Sequence, residues 1–380
     1  MTNLPIFNLP LPILIPQVPK ISEWIDLLDQ SYKSNSFTNS GPLAVLAETA
    51  LNDYLGDGIE SMVCSSNTSG LIASLIALDL QGKKVIVSNN TFAATLHALI
   101  SVGCLPIIAD VNPLTWEIDT ESVAAILEEH EVGGLLFTRV HGFRRDLTPL
   151  LDMCESLSIK VLIDSAAAFP VRQNEYTNPI KYLEVFSFHA TKPLGIGEGG
   201  AVIGPPKLIS EVRKASNFGL IKPSSTFGDG INAKMDEFAS ARLIAGLMNF
   251  QDIAMKRVEF VNSLSKLFRL NDSIQTAIDT GNTSWAFFPI VFSSEDDLIF
   301  FQNEMKAVIQ TRRYYYPSLA KGYSGRAAIQ LAKNLSVSEN LTVTTLCLPV
   351  IPTIDSRSRF MYFNHLTKTL SAVKHQSETE

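Results

Sequence analysis

Short apolar runs alternate with longer amphipathic stretches between about residues 41 and 204. The runs are rich in Val, Ile and Leu, which is typical of buried strands. Between most of them lie roughly 10–15 residues with helical spacing of apolar positions, as in 71–78 and 93–102. This alternation predicts βα units and a mostly parallel sheet of seven strands between layers of helices. The predicted strands are 62–66, 85–88, 106–109, 135–139, 161–164, 185–188 and 201–203.

The pattern changes after about residue 230. Helical periodicity extends over 233–270, with a predicted break near Asn249. A strand at 283–292, a helix from Ser294 and a C-terminal helix from about Asp355 follow, which together predict a smaller α+β domain. The predicted organisation is therefore an N-terminal arm or part of the small domain (1–36), a large α/β domain (37–245) and a small C-terminal domain (246–380).

The N-terminal segment is apolar but does not have the pattern of a signal peptide. It has no basic region before the apolar run, and repeated prolines over residues 5–16 prevent a helix there. We expect an extended arm that packs on the body of the protein or on a partner subunit. No apolar run approaches the ~18 residues of a membrane span, so we expect a cytoplasmic protein that does not bind membranes.

Composition narrows the classes of function. A chain of 380 residues that is 46% hydrophobic can bury a large core. A formal net charge of -7 argues against a general binder of nucleic acid or anionic membranes, so local groups must meet any anionic substrate. The four cysteines have neither metal-ligand nor disulfide spacing and are interpreted as buried thiols, with no metal site; they are Cys64, Cys104, Cys154 and Cys347.

A lysine follows the sixth predicted strand, in the segment Ser-Phe-His-Ala-Thr-Lys of residues 187–192. A glycine-rich return, Gly-Glu-Gly-Gly, comes directly afterwards at 197–200. A primary amine held in a dry cleft can form a Schiff base with a carbonyl cofactor. Asp164 ends the preceding strand, and parallel strands share their carboxyl edge, so Asp164 and Lys192 are expected in one crevice. Taken singly, Lys192 is also compatible with a solvated surface lysine and Asp164 with a helix cap or turn residue.

Pyridoxal phosphate needs a lysine, a carboxylate beside its ring nitrogen, a face for the ring and donors for the phosphate. Lys192 and Asp164 match the first two requirements. The hydroxyl-rich turn at 65–69, which joins a strand to a helix, can bind an anion at the helix N-terminus, although the same residues are ordinary helix caps. Ser187 adds a hydroxyl on the same edge. Phe92 follows a strand and can cover a ring face, although an isolated phenylalanine is more often core packing.

These segments, in this order, resemble the DegT/DnrJ/EryC1/StrS aminotransferases, the sugar-modifying branch of fold type I pyridoxal-phosphate enzymes. The resemblance extends from residue 41 to about residue 349. Its most specific part is SFHATK followed by GEGG, at 187–192 and 197–200. The turn at 66–68, the segment 91–95, the strand that ends in Asp164 and the segment 230–235 also match. The last of these looks like the family's G-x-N-x-R-M stretch.

The resemblance implies a fold type I aminotransferase with a role for each matched residue. Lys192 would be the Schiff-base lysine and proton shuttle, Asp164 the partner of the ring nitrogen, and Phe92 the stacking ring. The implied phosphate ligands are Thr68, Ser187, Asn232 of the partner subunit and the backbone amide of Asn67. The implied assembly is a homodimer whose active site lies at the subunit interface.

The implied reaction takes an amino group from L-glutamate and gives it to a keto-sugar attached to a nucleotide. The segment 311–317 resembles the family's substrate segment in the small domain, where Arg312, Arg313 and Tyr315 suit a diphosphate and a sugar. Surface charge is the alternative explanation for these arginines. Lys234 and His189 are further substrate-binding candidates. For His189 a structural or peripheral role is favoured, because Lys192 already performs the proton transfer.

Four positions depart from the family pattern, and one of them is Arg139, which stands where a histidine often precedes the turn at 142–146. Asn67 replaces the usual glycine of the phosphate turn, and its backbone donor survives this change. Ala167 stands where Gln or His commonly approaches the ring hydroxyl of the cofactor, and its side chain can donate nothing. Lys234 stands where the family often has Arg, which keeps the charge but not the bidentate geometry. We interpret these changes as signs of a divergent subfamily with a shifted substrate.

Three other functions stay open on the sequence. A sugar 3-dehydratase on the same scaffold would replace the lysine by histidine, so Lys192 argues against it. An aminotransferase of small keto acids is compatible with arginines that clamp a carboxylate, namely Arg312, Arg313 or Arg357. A non-catalytic regulator on this fold is disfavoured by the retained lysine, aspartate and phosphate donors.

Overall fold

The computed structural model describes residues 9–220, 227–269, 274–276, 281–326 and 329–377. Its helices are α1 (Asp29–Ser34), α2 (Pro42–Leu55), α3 (Asn67–Ala77), α4 (Ala93–Val102), α5 (Thr120–Leu127), α6 (Thr148–Ser156), α7 (Pro206–Ala215), α8 (Glu237–Phe268), α9 (Glu295–Met305), α10 (Leu319–Gly322), α11 (Ser336–Thr344) and α12 (Ser356–Ser377). Its strands are β1 (Glu60–Cys64), β2 (Lys84–Ser88), β3 (Leu105–Ala109), β4 (Gly134–Thr138), β5 (Lys160–Ser165), β6 (Leu183–Ser187), β7 (Gly200–Gly204), β8 (Ile274–Thr276), β9 (Phe287–Phe292), β10 (Gln330–Leu331) and β11 (Thr345–Pro349).

A mixed, mostly parallel sheet forms the centre of the molecule, in the strand order β1-β7-β6-β5-β4-β2-β3-β10. Strand β7 is antiparallel to both β1 and β6, and the other pairs are parallel. The predicted α/β class and all seven predicted strands are confirmed, with ends that differ by one or two residues. The sheet has an eighth strand, because the two residues of β10 pair with β3 at its edge. Strand β10 has only two residues, both exposed, so the sequence shows no alternation of apolar and polar positions from which it could be predicted.

Two apolar layers cover the sheet, and they explain why its strands are continuous apolar runs. Helices α2 and α8 pack on one face with Phe186 and Ile203, whereas α3, α4 and α7 pack on the other with Val185 and Val202. Because successive side chains of a strand point to opposite faces, a strand buried on both sides must be apolar at nearly every position.

The C-terminal region forms a three-stranded antiparallel sheet, β11-β9-β8, packed with α9 and α12. Helix α8 contains 32 residues and is continuous, so the predicted break near Asn249 is wrong. The side-chain amide of Asn249 donates to the Ala245 carbonyl and leaves the helix intact. Since α8 crosses the predicted boundary at 245/246, it joins the two regions as one element, and the boundary itself stays a prediction.

The described part of the N-terminal arm, from residue 9 onward, packs on the C-terminal region. Leu11 is fully buried, its N–H donates to Val308, and its carbonyl accepts from Gln310. The four cysteines are free and buried, as the sequence predicts. Among the described helices, none is both long enough and apolar enough to cross a membrane.

Candidate active site

Asp164 lies at the carboxyl end of β5, buried to 4% exposure. Both of its oxygens accept hydrogen bonds from the protein. Oδ1 accepts from the Asn67 amide at 3.2 Å and from the Ala166 N–H at 3.1 Å, and Oδ2 accepts from the Thr95 hydroxyl at 2.7 Å. Burial raises the pKa of Asp164, and these three donors together with the charge of Lys192 oppose that rise.

Three threonine hydroxyls form a chain that ends at Asp164. The Thr95 hydroxyl is 2.9 Å from that of Thr91, which is 3.0 Å from that of Thr138. Because the carboxylate can only accept, Thr95 donates to Asp164 and must accept from Thr91. Strand β4 and the N-terminus of α4 thereby fix the hydroxyl that faces the carboxylate.

Lys192 lies in a closed loop directly after β6. Backbone bonds join Ala190 to Gly197 at 2.7 Å and Lys192 to the His189 carbonyl at 2.8 Å, and Gly197 takes a φ of +113°, which favours glycine. Burial lowers the pKa of the Lys192 amine, and the charge of Asp164 opposes this shift. Asp164 and Lys192 thus follow two neighbouring parallel strands, β5 and β6.

The N-terminus of α3 supplies backbone N–H groups beside these residues. Ser66 caps the helix by accepting from the Ser69 N–H at 3.1 Å, so Asn67 and Thr68 are the first two helical residues. Gly200 of β7 packs under this turn, where a Cβ would lie 2.8 Å from the Asn67 nitrogen. The first N–H groups of a helix have no intrahelical partner and favour anions. Ser187 ends β6 on the same edge of the sheet.

Aromatic side chains border the crevice on the side of the C-terminal region. Phe92 precedes α4, is 58% exposed, and its ring centre lies 6.2 Å from that of Tyr315. Tyr315 also stacks on buried His141 at 5.8 Å, with the two ring planes 14° apart. Burial raises the pKa of the Tyr315 phenol, and the charge of Asp164 adds to this rise.

The two predicted arginines have different surroundings. Arg313 donates to Glu295 at 2.7 Å and to the Val343 carbonyl at 2.9 Å, so its guanidinium holds the C-terminal region together. The guanidinium of Arg312 donates to the Tyr314 hydroxyl at 3.1 Å, in an exposed contact. Of this pair, Arg312 is the one whose charge faces solvent.

His189 is turned toward the outside of the lysine loop. Its Nδ1 lies 2.7 Å from the Thr191 hydroxyl, and its Nε2 is 3.5 Å from the exposed Glu198 carboxylate. These contacts close the loop around Lys192. They fit the structural alternative for His189.

Asn232 and Lys234 lie on a segment that pairs beside the end of β1. Asn232 is exposed and forms a bridge with Asn217. The Lys234 amine donates to the Asn217 amide oxygen at 2.9 Å and lies 4.5 Å from the centre of the Phe218 ring. Burial lowers the pKa of the Lys234 amine.

Three contacts of the site were not predicted from the sequence. They are the hydrogen bond from Thr95 to Asp164, the stacking of His141 on Tyr315 and the side-chain hydrogen bonds of Asn67. Thr91 and Thr95 are spaced i,i+4 around the start of α4, directly after a strand, and this spacing is the signal that was available for Thr95. The contacts of Asn67 and His141 depend on how separate loops meet, for which one sequence contains no signal.

The residues present fit pyridoxal phosphate. The crevice has an amine whose pKa is lowered by burial, a buried carboxylate with acceptor capacity to spare, and a helix N-terminus flanked by hydroxyls. An exposed aromatic ring, Phe92, borders it. The Ala167 side chain, at the turn after β5, can offer no hydrogen bond to a ring hydroxyl.

Comparison with known proteins agrees with this geometry. The sequence model of the DegT/DnrJ/EryC1/StrS aminotransferase family matches residues 20–359. The chain is 27% identical over 353 residues to a dTDP-4-amino-4,6-dideoxy-D-glucose transaminase of Shigella dysenteriae, covering 90% of this chain and 94% of that one. It is 26% identical over 334 residues to a UDP-4-amino-4,6-dideoxy-N-acetyl-beta-L-altrosamine transaminase of Campylobacter jejuni, covering 83% and 88% respectively.

Solved structures show the same fold. DesI, crystallised in the presence of its TDP-sugar product, matches with a TM-score of 0.83 at 25% identity, over 98% of this chain and 95% of that one. A DegT DnrJ EryC1 StrS aminotransferase from Brucella abortus matches with a TM-score of 0.78 at 22% identity, over 93% and 95%.

Proposed function

The chain belongs to the DegT/DnrJ/EryC1/StrS aminotransferase family, and we propose that it transfers the amino group of L-glutamate to a keto-sugar carried on a nucleotide. It is a pyridoxal-phosphate-dependent aminotransferase. The observation that supports the proposal best is the placement of the buried carboxylate Asp164 at the end of β5 and of Lys192 in the loop that follows the neighbouring parallel strand β6.

The proposed cofactor contacts follow from the site. Thr68, Ser187 and the backbone N–H of Asn67 would hold the phosphate, and Phe92 would cover the ring. Asp164 would meet the ring nitrogen through its remaining acceptor position. When bound, the cofactor supplies an aldehyde and an electron-withdrawing ring that stabilises negative charge at the substrate carbon.

Lys192 is the proposed reactive group of the chain. Its lowered pKa increases the neutral fraction of the amine, which is the form that attacks a carbonyl. The same amine would accept and return the proton of the substrate carbon in each half of a ping-pong reaction. The hydrogen bonds from Thr95, Asn67 and the Ala166 N–H favour the ionised form of Asp164 and oppose the effect of burial on its pKa.

A nucleotide-linked substrate is proposed from the names of the relatives and from two basic side chains, Lys234 and Arg312. The relatives from Shigella and Campylobacter are named for dTDP- and UDP-linked amino sugars. Lys234 and Arg312 are the cations that we assign to the diphosphate, with Tyr315 beside the sugar. Arg313 is assigned to the fold, because Glu295 already neutralises it.

We also propose that the active unit is a homodimer in which Asn232 completes the phosphate site of the partner. Asn232 is exposed, and the described residues around it, 217–220 and 227–231, include exposed aromatic side chains. Phe218 is 51% exposed and Phe227 is 79% exposed. A cluster of large exposed apolar side chains is typical of a protein–protein interface.

Product analysis tests this proposal. Purified enzyme with pyridoxal phosphate and L-glutamate would be offered dTDP- and UDP-linked 4-keto-6-deoxy sugars, and in parallel pyruvate and oxaloacetate. We expect 2-oxoglutarate and an amino sugar nucleotide to form in equal amounts. Turnover of the simple keto acids alone would support a keto-acid aminotransferase, and turnover of neither class would contradict the proposal.

A further inference from the structure

Asn67 places a side chain where the phosphate-binding turn needs only backbone. It is the first residue of α3, directly after the cap Ser66. Asn67 is buried to 7% exposure, so the hydrogen bonds of its amide must be made within the protein.

The Asn67 amide connects three elements of the site. Its Nδ2 donates to Asp164 Oδ1 at 3.2 Å and to the Val185 carbonyl of β6 at 3.2 Å. An amide nitrogen carries two protons, and both are used by these contacts. The first residue of α3, the helix whose N-terminus would hold the phosphate, is thereby hydrogen-bonded to the carboxylate that would meet the ring nitrogen.

The acceptor capacity of Asp164 shows what this bond achieves. An ionised carboxylate has about four acceptor positions, two on each oxygen. On Oδ1 both are filled, by Asn67 and by the Ala166 N–H, and on Oδ2 one is filled by Thr95. The position left open is therefore on Oδ2.

We propose that Asn67 is a positioning residue that links the two ends of the cofactor site, fixing Asp164 so that Oδ2 is its open acceptor. The inference rests on the proposed function. Removing the amide would leave Oδ1 with a single donor in a buried environment, which allows the carboxylate to rotate and weakens its contact with a ring N–H.

Two substitutions separate this role from simple packing. Asn67→Gly removes the amide and keeps the backbone donor. Asn67→Asp keeps the size but replaces the donor by a second carboxylate beside Asp164. The control is Thr120→Gly, which puts a glycine at the first position of α5, a helix start that takes no part in the crevice.

Two readouts are independent of turnover. The first is the dissociation constant of pyridoxamine 5′-phosphate, measured by the quenching of tryptophan fluorescence. The second is the pH midpoint of the visible band given by pyridoxal phosphate bound to the lysine. A protonated ring nitrogen withdraws electrons and lowers this midpoint, so a poorly held Asp164 should raise it.

We expect Asn67→Gly to raise the dissociation constant of pyridoxamine 5′-phosphate about three- to tenfold and to raise the pH midpoint of the visible band. Thr120→Gly should change neither quantity. At pH 8, Asn67→Asp should weaken the binding of pyridoxamine 5′-phosphate more than Asn67→Gly does. Its affinity should recover as the pH falls, because the introduced carboxyl donates a hydrogen bond once it is protonated. Values for both Asn67 variants equal to those of Thr120→Gly would overturn the inference while the proposed function stands. Absence of the band in the unmodified protein would instead contradict the proposed function.

Discussion

Asp164 is a buried carboxylate whose ionisation depends on its immediate neighbours. Burial alone raises its pKa, whereas one hydroxyl, one amide and one backbone N–H favour the charged form. The shortest of these hydrogen bonds comes from Thr95, at 2.7 Å. Each donor therefore matters for the ionisation state of the residue that we propose to meet the ring nitrogen.

Replacing Thr95 by Val should impair the enzyme through Asp164. Loss of the hydroxyl removes a hydrogen bond to a buried charge, so we expect kcat/KM to fall about 10- to 100-fold. The pKa of Asp164 should rise further, which moves the acidic limb of the pH profile of kcat/KM to higher pH. Thr95→Ser retains the hydroxyl, so its kcat/KM should stay near that of the unmodified enzyme. An equal loss of kcat/KM in both variants would indicate a packing effect only.

Residue positions along strands were predictable, and side-chain contacts between elements were not. That Asp164 and Lys192 share one crevice was predictable from the strand pattern, because the carboxyl ends of parallel strands lie at one edge of the sheet. Thr95 and Asn67 belong to helices whose rotation about their own axes is set by packing on the sheet. The rotation of a helix about its axis cannot be read from a single sequence.

Strand β6 also carries Glu184, the centre of a buried cluster of charges. Glu184 is fully buried and accepts from Arg144 at 2.9 Å, Ser165 at 2.5 Å and Tyr176 at 2.6 Å. Burial alone would raise the pKa of Glu184, but the guanidiniums of Arg144 and Arg139 and these hydrogen bonds lower it to about 2. The cluster joins the loops that follow β4 and β5, and so supports the edge that carries Asp164.

Stability should depend on pH through Glu184. A carboxyl whose pKa is about 2 when folded and ordinarily 4.5 contributes fully above pH 4.5, and this contribution is lost as the pH falls toward 2. Glu184→Gln should lower the free energy of unfolding at pH 7 by about 3–5 kcal/mol, because Arg144 loses its buried partner, and should flatten the pH dependence below 4.5.

Urea unfolding at pH 7, 4 and 3 measures this effect. The control is Glu155→Gln, which removes the exposed partner of Lys181 and should leave the unfolding curve unchanged. If Glu184→Gln is as stable as the control at pH 7, the charge cluster does not stabilise the fold.

At the scale of elements, long periodic segments were predictable and short edges were not. The limits of α4 and the start of α12 agree with the sequence pattern within one residue, since their apolar positions recur at helical spacing. Strand β10 has two exposed residues and forms only because β3 offers a free edge. Asn249 predicts a break in α8 by propensity, but packing of the helix on both regions overrides it.

The whole molecule combines a large central sheet with a C-terminal sheet through the continuous helix α8. Phe218 and Phe227 present exposed aromatic rings on the segment that pairs with Asn232, on the outside of the subunit. A single subunit therefore contains Lys192 and Asp164, whereas the proposed phosphate ligand Asn232 would have to come from a partner. The sequence implied this division only through its family resemblance.

Mixing two inactive variants tests whether sites are shared between subunits. In a heterodimer of Lys192→Ala and Asn232→Ala, one site has an intact lysine and receives an intact Asn232 from the partner. Random mixing should restore about a quarter of the unmodified activity, because half of the dimers are mixed and each has one complete site. Lys192→Ala mixed with Ser187→Ala should restore nothing, since both changes affect a subunit's own site; equal results for both mixtures would contradict the shared site.

The absorption spectrum of the protein with pyridoxal phosphate, before and after L-glutamate, decides whether Lys192 binds the cofactor. The unmodified protein and Lys181→Ala, which removes an exposed lysine, should show a visible band that glutamate converts to a near-ultraviolet band. Lys192→Ala should lack the visible band. A band that persists in Lys192→Ala, or its absence from the unmodified protein, would contradict the assignment of Lys192 as the lysine that binds the cofactor.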